Sequence, residues 1–233
     1  MRYAFVFVAA LAAPLAAKKA DPPPAVCLEP VKPPLFMSPM GEPFRPKGDA
    51  DDPVRRWFDQ ADRDHDGRLT VGEMMLDADR FFALLDKDGN GELLPDEVHA
   101  YEDDIAPEIR LYQRRREPDS ERDRRKADAA EDRSRQKQVA QRRAGISGYD
   151  GAMGAGRFAF LNIPNPVASA DADINRAVDR KEFRAAAAER FRDLDPAQAK
   201  ALTFASLPKT PAQLAANTAC LERVRQQAKE RRR

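Results

Sequence analysis

One twelve-residue segment of this 233-residue chain, residues 62–73, carries oxygen-bearing side chains at regular intervals. Its sequence is DRDHDGRLTVGE, in which positions 1, 3, 5, 6 and 12 are Asp62, Asp64, Asp66, Gly67 and Glu73. Calcium takes six to eight oxygen ligands at about 2.3–2.6 Å, and a twelve-residue loop with oxygens at such positions supplies them. The segment therefore predicts a calcium site, which we call loop 1.

The other positions of loop 1 fit the same chemistry. Gly67 permits the positive φ of a sharp turn, in which a residue with a side chain would be strained. Arg68 at position 7 is expected to contribute its backbone carbonyl, and Thr70 at position 9 its hydroxyl or a bridging water. Glu73 is expected to close the site as a bidentate ligand. The alternative is an acidic surface turn without a metal.

Residues 86–97 form a second segment of this kind, loop 2, with the sequence DKDGNGELLPDE. The predicted ligands are the side chains of positions 1, 3, 5 and 12 and the carbonyl of position 7, which are Asp86, Asp88, Asn90, Glu97 and Glu92. Leu94 at position 9 has no side-chain oxygen, so a water must fill that place. Asn90 replaces a carboxylate, which lowers the charge of the site and its expected affinity.

Residues 171–182 form loop 3, with the sequence DADINRAVDRKE. The predicted ligands are the side chains of positions 1, 3, 5, 9 and 12 and the carbonyl of position 7, which are Asp171, Asp173, Asn175, Asp179, Glu182 and Ala177. Position 6 is Arg176 instead of glycine, and a left-handed conformation costs such a residue about 1 kcal/mol. We expect calcium binding here, and the alternative is an acidic turn beside a helix.

A fourth segment, loop 4, is visible only through the spacing of the others. Loops 1 and 2 begin 24 residues apart, and the same step from loop 3 leads to residues 195–206, DPAQAKALTFAS. Its apolar positions are kept, but positions 3, 5 and 12 are Ala197, Ala199 and Ser206. The spacing indicates a duplicated two-loop unit, and loop 4 should be free of metal.

Each loop has an apolar residue at position 8, and these residues are Leu69, Leu93, Val178 and Leu202. We expect them to form short β-bridges between paired loops. Only twelve residues separate Glu73 from Asp86, without Gly or Pro, so residues 71–85 should form one helix shared by loops 1 and 2. Residues 180–194 should do the same in the second unit. Because twelve helical residues hold two loops about 18 Å apart, we predict that loops pair between the units rather than within them.

The loops resemble those of the EF-hand calcium-binding superfamily, and more narrowly the exported EF-hand proteins of bacteria. The narrower resemblance depends on RFFALLDKDGNGE and LNIPNPVASADADINR, with a glycine-rich segment before the second. It covers residues 62–108 and 158–207. It implies a helix-loop-helix architecture and reversible calcium binding by Asp62, Asp64, Asp66, Glu73 and their equivalents.

The predicted fold class is all-α, with two EF-hand pairs and short β-bridges between their loops. The expected segments are a signal peptide (1–17), a Pro-rich extended lead-in (18–48), EF-hand pair 1 (49–112), a charged and Gly-rich linker (113–157), EF-hand pair 2 (158–208) and a basic C-terminal tail (209–233). The charged part of the linker is interpreted as disordered or as an exposed helix, and its Gly-rich end as a hinge.

The first 17 residues are typical of an export signal. A short basic start is followed by about 15 largely apolar residues and by small residues before Lys18. Cleavage is expected near Ala17, since the cleaner small-x-small match at residues 10–12 would leave a very short apolar core. A short membrane anchor is the alternative. The predicted location is periplasmic or secreted. In such an oxidising compartment Cys27 and Cys220 form either a disulfide or two free thiols.

Charge is segregated along the chain although the net charge is only +1. Residues 49–110 hold 19 acidic and 7 basic side chains, whereas residues 113–143 hold 7 acidic and 12 basic ones. A basic segment can bind an anionic polymer, but the interleaved acids favour a solvated linker. No pattern indicates a catalytic site, and His65 and His99 are interpreted as surface or structural residues.

The expected function is calcium binding by a non-enzymatic protein that acts as a buffer, as a calcium-stabilised protein or as a sensor. The alternative is a calcium-dependent interaction module. In it, calcium would expose an apolar face to a protein partner, or the basic segments would bind an anionic polymer. That face consists of Met74, Met75, Phe81 and Phe82. No nucleic acid partner and no stable membrane insertion after signal cleavage are expected.

Overall fold

The computed structural model describes residues 26–28, 31–110, 149 and 151–231. The predicted signal peptide and the charged part of the predicted linker lie outside these residues. Within the described part of the chain, no helix is long and apolar enough to cross a membrane.

Five α-helices form the frame of the described structure. They are α1 (Pro53–Ala61), α2 (Val71–Leu85), α3 (Pro95–Ala100), α4 (Arg180–Leu194) and α5 (Pro211–Glu230). Helix α1 begins where the carboxylate of Asp52 accepts the N–H groups of Val54 and Arg55, both at 3.1 Å, which satisfies donors that the first turn leaves free. Helices α2 and α4 coincide with the two predicted shared helices, so that prediction is confirmed.

The two shared helices pack against each other and form the centre of the molecule. Their contacting faces are apolar at helical spacing, with Phe81 and Phe82 on α2 and Phe183 and Ala187 on α4 buried. The rings of Phe82 and Phe183 are 5.6 Å apart in an edge-to-face arrangement. At the rim, the Arg184 guanidinium donates to both oxygens of Asp79. The contact therefore joins the two predicted units directly.

Three two-stranded antiparallel sheets accompany the helices. Their strands are β1 (Phe36–Met37), β2 (Pro43–Phe44), β3 (Arg68–Thr70), β4 (Glu92–Leu93), β5 (Val178–Asp179) and β6 (Ala201–Thr203). Strand β3 pairs with β6, and β4 pairs with β5. The registers place Leu69 opposite Leu202 and Leu93 opposite Val178. Loop 1 is therefore bridged to loop 4 and loop 2 to loop 3, which confirms the predicted pairing between units.

The second unit departs from the predicted helix-loop-helix pattern at its outer ends. Before loop 3, the described residues 151–170 contain only the 3₁₀ turns Gly154–Arg157 and Ala168–Ala170. Loop 4 ends in the 3₁₀ turn Phe204–Ser206, and the next helix, α5, begins only at Pro211. Pro164 and Pro166 explain the missing entering helix, because proline lacks an N–H group and clashes within a helix. The prediction of flanking helices at these two places is wrong.

After loop 2 the chain also leaves the regular helix. Helix α3 continues as the π-helix Tyr101–Ile105 and the 3₁₀ turn Pro107–Ile109. The wider turn keeps Tyr101 fully buried, where its hydroxyl donates to the carbonyl of Gly41 at 2.8 Å. Burial raises the pKa of Tyr101, so the phenol stays protonated.

The Pro-rich segment was predicted to be an extended lead-in, but its residues 36–44 belong largely to the core, while Val26 and Leu28 are exposed. Strands β1 and β2 form a hairpin, residues 36–44, that the sequence analysis did not anticipate. Its apolar residues Phe36, Met37, Met40 and Phe44 are buried in the same cluster as apolar residues of helices α1, α2 and α4. Alternating prolines and large apolar residues gave no periodicity from which a strand could be predicted.

The last residues of the predicted Gly-rich linker are packed, although Met153 directly before them is 51 % exposed. Gly154, Ala155 and Gly156 are buried. A Cβ on Gly154, which has φ +54°, would lie 2.2 Å from the carbonyl oxygen of Pro164, and one on Gly156 would lie 2.4 Å from Asn162 Oδ1. These glycines permit close packing of two chain segments. The hinge interpretation is therefore wrong for this stretch.

The predicted C-terminal tail is for most of its length helix α5, which a disulfide joins to the N-terminal segment. Cys27 and Cys220 are bonded, with their Cα atoms 6.1 Å apart. The N–H of Cys27 also donates to Asn217 Oδ1 at 2.8 Å. The structure thus decides between the two alternatives left open by the sequence, in favour of the disulfide.

Candidate metal centres

The first aspartate of loops 1 and 2 has one oxygen that the protein leaves without a partner. Asp62 Oδ2 accepts the N–H of Gly67 at 2.9 Å, and Asp86 Oδ2 accepts the N–H of Gly91 at 3.1 Å. The Oδ1 atoms of both aspartates are buried and have no hydrogen-bond partner among the described residues. Buried carboxylate oxygens are normally satisfied, so these two atoms indicate places for an external cation.

In loop 3 the first aspartate, Asp171, accepts one more backbone hydrogen bond than the first aspartates of loops 1 and 2. Asp171 Oδ2 accepts the N–H of Arg176 at 3.0 Å, as in the other loops, but Oδ1 also accepts the N–H of Asn175 at 3.2 Å. Arg176 has φ +74°, the left-handed conformation that the sequence analysis expected it to bear. A cation at loop 3 would share Asp171 with two backbone donors, which favours weaker binding than at loops 1 and 2.

The side chains at positions 3 and 5 have the same arrangement in all three loops. Each position 3 carboxylate accepts the backbone N–H of position 5, at 3.2 Å for Asp64, 3.0 Å for Asp88 and 3.1 Å for Asp173. Each position 5 oxygen accepts the N–H of position 7 at 2.7 Å, and these acceptors are Asp66, Asn90 and Asn175. Such local turns hold short polar side chains on the inner side of a loop. The local sequence therefore orients the side chains of positions 3 and 5 in each of the three loops.

The glutamate at position 12 reaches back to the start of its loop. One oxygen of each accepts the N–H of position 2, at 2.9 Å for Glu73, 2.8 Å for Glu97 and 3.0 Å for Glu182. The other oxygen accepts the N–H of position 9, which is Thr70, Leu94 or Asp179. Each glutamate thus closes its loop through backbone N–H donors, and the bidentate calcium ligation predicted for it stays a prediction.

Hydrogen bonds also keep Glu73 ionised. Partial burial alone would raise its pKa, but N–H donors at Thr70 and Arg63, together with the Thr70 hydroxyl, bring the pKa below its ordinary value. A carboxylate is the form that a calcium ion requires.

The remaining predicted ligands lie at the exits of the loops. Arg68 and Glu92 lie in strands β3 and β4, and Ala177 directly precedes β5. At position 9, Thr70 Oγ1 accepts the N–H of Glu73 at 3.3 Å and Asp179 Oδ1 that of Glu182 at 2.8 Å, so both residues cap the following helix. Leu94 makes no such bond.

Three acidic clusters result, in each of which one carboxylate oxygen per residue lies within 4.8 Å of the others. They are Asp62 with Asp64 and Asp66, Asp86 with Asp88 and Glu97, and Asp171 with Asp173 and Glu182. Hard oxygen donors without nitrogen or sulfur suit calcium rather than a transition metal. The donor chemistry and the two orphaned oxygens of loops 1 and 2 therefore fit the metal that the sequence predicts.

Loop 4 has the backbone conformation of the other three loops but lacks their ligand residues. Asp195 accepts the N–H groups of Ala199 and Lys200, both at 2.8 Å and on different oxygens. Lys200 at position 6 has φ +66°. At position 12, the short Ser206 side chain reaches only Thr203. Both oxygens of Asp195 thus accept internal N–H donors, and the metal-free state of loop 4 stays a prediction.

The sequence analysis missed that the backbone competes for the first aspartate of loop 3. The missing glycine at position 6 of loops 3 and 4 could have indicated it, because in both loops a second N–H group donates to the aspartate at position 1. From the sequence, this substitution predicted only conformational strain and no competition for the aspartate.

Comparison with known protein families matches the EF hand over residues 54–76. These residues contain nearly all of α1, all of loop 1 and the first turns of α2, and the match supports membership of the EF-hand superfamily. Searches of curated proteins and of solved structures found no match.

Proposed function

We propose that this chain is an exported, non-enzymatic calcium-binding protein, in which loops 1, 2 and 3 hold Ca²⁺ as a buffer or as a structural brace. One observation carries the proposal. Asp62 and Asp86 each leave a buried oxygen without a donor, whereas Asp195 of the metal-free loop has both oxygens satisfied. Loops 1 and 2, which keep ligands and the glycine at position 6, are the ones with an unsatisfied oxygen, whereas in loop 3 both oxygens of Asp171 accept backbone N–H groups.

In this proposal the chain's carboxylates bind the ion, and the ion neutralises them. Three like charges within one small cluster repel each other, and calcium removes that repulsion and fixes the loop against the helix that follows it. The backbone turns at positions 3 and 5 hold the ligands in place, so little ordering is needed on binding.

Two features support the exported location. The first 17 residues have the composition of an export signal, and a disulfide such as Cys27–Cys220 persists mainly in oxidising compartments. Where calcium is abundant, sites of modest affinity are filled permanently. A structural or buffering role follows from such filling.

The burial of the apolar face that a sensor would expose to a partner also favours a buffering or structural role. Met74 and Phe81 are each 2 % exposed, and Phe82 is 0 % exposed. A calcium-dependent interaction module would have to expose these side chains when calcium binds, whereas the hairpin of residues 36–44 is buried with them in one cluster. We therefore favour the buffer or brace over the module.

Calorimetric calcium titration with magnesium present tests the proposal. We expect two tight sites and a third, weaker one. Asp62→Asn should remove one tight site, because it deletes a charged ligand at position 1. The matched control is Asp59→Asn on α1, since Asp59 is an exposed carboxylate outside the loops that pairs only with Arg55. Absence of calcium binding by the unmodified protein would refute the proposal.

A further inference from the structure

The hairpin of residues 36–44 touches elements from both EF-hand units. The Phe36 ring lies 5.5 Å from that of Trp57 on α1 and 4.9 Å from that of Phe160, which precedes loop 3. The N–H of Met37 donates to the carbonyl of Phe158 at 3.0 Å. This strand thus lies in the space where an entering helix of loop 3 would have packed.

The hairpin is anchored by apolar side chains of the kind that EF-hand grooves bind. Its residues Phe36, Met37 and Met40 are 1, 0 and 2 % exposed. They join the same cluster as Phe81 and Phe82 of α2. Calcium sensors open a Met-rich groove, and partners dock in it through large apolar side chains on one face of a segment. Here such anchors come from the same chain.

A buried arginine fixes the turn of the hairpin. Arg190 of α4 is 4 % exposed, and its guanidinium donates to the carbonyl of Pro39 at 2.9 Å and to that of Pro166 at 2.8 Å. Burial lowers the pKa of Arg190 to about 10, so it remains charged at neutral pH. Its charge is met by carbonyl dipoles, which ties the hairpin to α4 and to the segment before loop 3.

The other side of the turn is held by the first unit. Glu42 accepts hydrogen bonds from Arg80 of α2 and Gln60 of α1. A Cβ on Gly41 would come within 2.6 Å of the Tyr101 hydroxyl oxygen, so the turn fits closely against the end of loop 2's exit helix.

We infer that residues 36–44 are an internal ligand of the EF-hand core. They occupy the apolar surface that would otherwise accept a partner, and they keep it covered with and without calcium. The inference rests on the proposed calcium binding, which it refines: while the hairpin is in place, calcium fills the loops without exposing a docking surface, and once the hairpin is displaced, calcium exposes one for an extended segment with Phe and Met anchors.

The first test uses the full chain and a dye that fluoresces on exposed apolar surface. For the unmodified protein we expect no increase in dye fluorescence across the calcium titration. An increase that saturates together with calcium binding would overturn the inference. A protein that binds no calcium would instead refute the proposed function, and calorimetry separates these two failures.

The second test displaces the hairpin with Met37→Asp, which places a charge at a strand residue that is 0 % exposed. Its matched control is Leu28→Asp in the same Pro-rich segment, since Leu28 is 97 % exposed. We expect dye fluorescence of Met37→Asp to rise at least threefold with calcium, and an excess of a peptide with the sequence of residues 31–48 to reverse the rise. The control should behave as the unmodified protein. No calcium-dependent rise, or a rise that the peptide leaves unchanged, would contradict the inference.

Arg190→Gln provides a milder variant if Met37→Asp does not fold. It removes the charge that holds Pro39 and adds none to the core. Calcium-dependent dye binding by Arg190→Gln, reversed by the same peptide, supports an internal ligand. Equal dye binding with calcium and with chelator would show that the hairpin is only a part of the core, and would overturn the inference.

Discussion

The two bridged loop pairs have the same backbone and opposite chemistry. In the pair of loops 2 and 3, both partners carry acidic clusters, and strands β4 and β5 connect them directly through Leu93 and Val178. In the pair of loops 1 and 4, only loop 1 has ligands, while Asp195 in loop 4 is satisfied by backbone donors.

The β-bridge between two loops therefore has a different role in each pair. Loop 4 needs no ion for its shape, and the ring of Phe204 behind it packs 5.9 Å from that of Phe58 on α1. It therefore gives loop 1 an ordered partner at any calcium concentration. Loops 2 and 3 both carry acidic clusters whose repulsion an ion would remove, so an ion at one loop should stabilise the bridged strand of the other. We expect loop 1 to bind independently and loops 2 and 3 to be coupled.

The largest effect is expected from truncating the bridges. Leu202 is 3 % exposed and Val178 2 %. Leu202→Ala should cost about 2–5 kcal/mol of unfolding free energy and weaken loop 1 alone, whereas Val178→Ala should cost less and weaken loops 2 and 3. Denaturant unfolding and calorimetry measure both effects. Loss of affinity at all sites in both variants would show that the two pairs are not separate.

Asp171→Asn tests the coupling within the pair of loops 2 and 3. It should abolish binding at loop 3 and weaken loop 2 about tenfold, equivalent to 1.4 kcal/mol, because loop 2 loses the support of an ordered partner strand. Loop 1 can be followed separately by the fluorescence of Trp57, the chain's single tryptophan, which lies on α1. A matching shift in the Trp57 transition would contradict independence.

Glycine at position 6 tests the origin of the weakness of loop 3. Arg176→Gly and Lys200→Gly each relieve a left-handed conformation, and each should stabilise the calcium-free protein by about 1 kcal/mol. Only Arg176→Gly should also tighten calcium binding. Thermal unfolding with chelator and calorimetry with calcium separate the two effects. Equal calcium affinity in both variants would show that strain at position 6 does not limit loop 3.

The smallest effect is expected from the acid titration of Glu73 at position 12 of loop 1. The residue at position 12 of loop 4 is Ser206, which does not ionise. Because the pKa of Glu73 in the folded protein lies below its ordinary value of 4.5, its contribution to stability is present above that value and is lost as the pH falls below it. Glu73→Gln should therefore flatten the decline in calcium-free stability below about pH 4.5. An unchanged acid profile would show that these hydrogen bonds contribute nothing.

The sequence could predict the loops because their chemistry is local. The carboxylate of Asp64, for example, accepts a hydrogen bond from the N–H of Asp66 two residues further on. The spacing of residue types is therefore enough to predict such a bond. The shared helices followed from the same spacing, and so did the pairing of loops across units, since a rigid helix separates the loops that it joins. The absent helix before loop 3 was also signalled, by Pro164 and Pro166, but the loop motif was given more weight than the prolines.

The sequence by itself determined which carboxylates can meet an ion, because ligand type and spacing lie within twelve residues. Only the tertiary structure decided which oxygens remain unsatisfied, that Cys27 meets Cys220, and that residues 36–44 fill the apolar face of the EF-hands. These outcomes depend on contacts between segments far apart in the chain. Burial and competing backbone donors arise from those contacts, and no local pattern of residues encodes them.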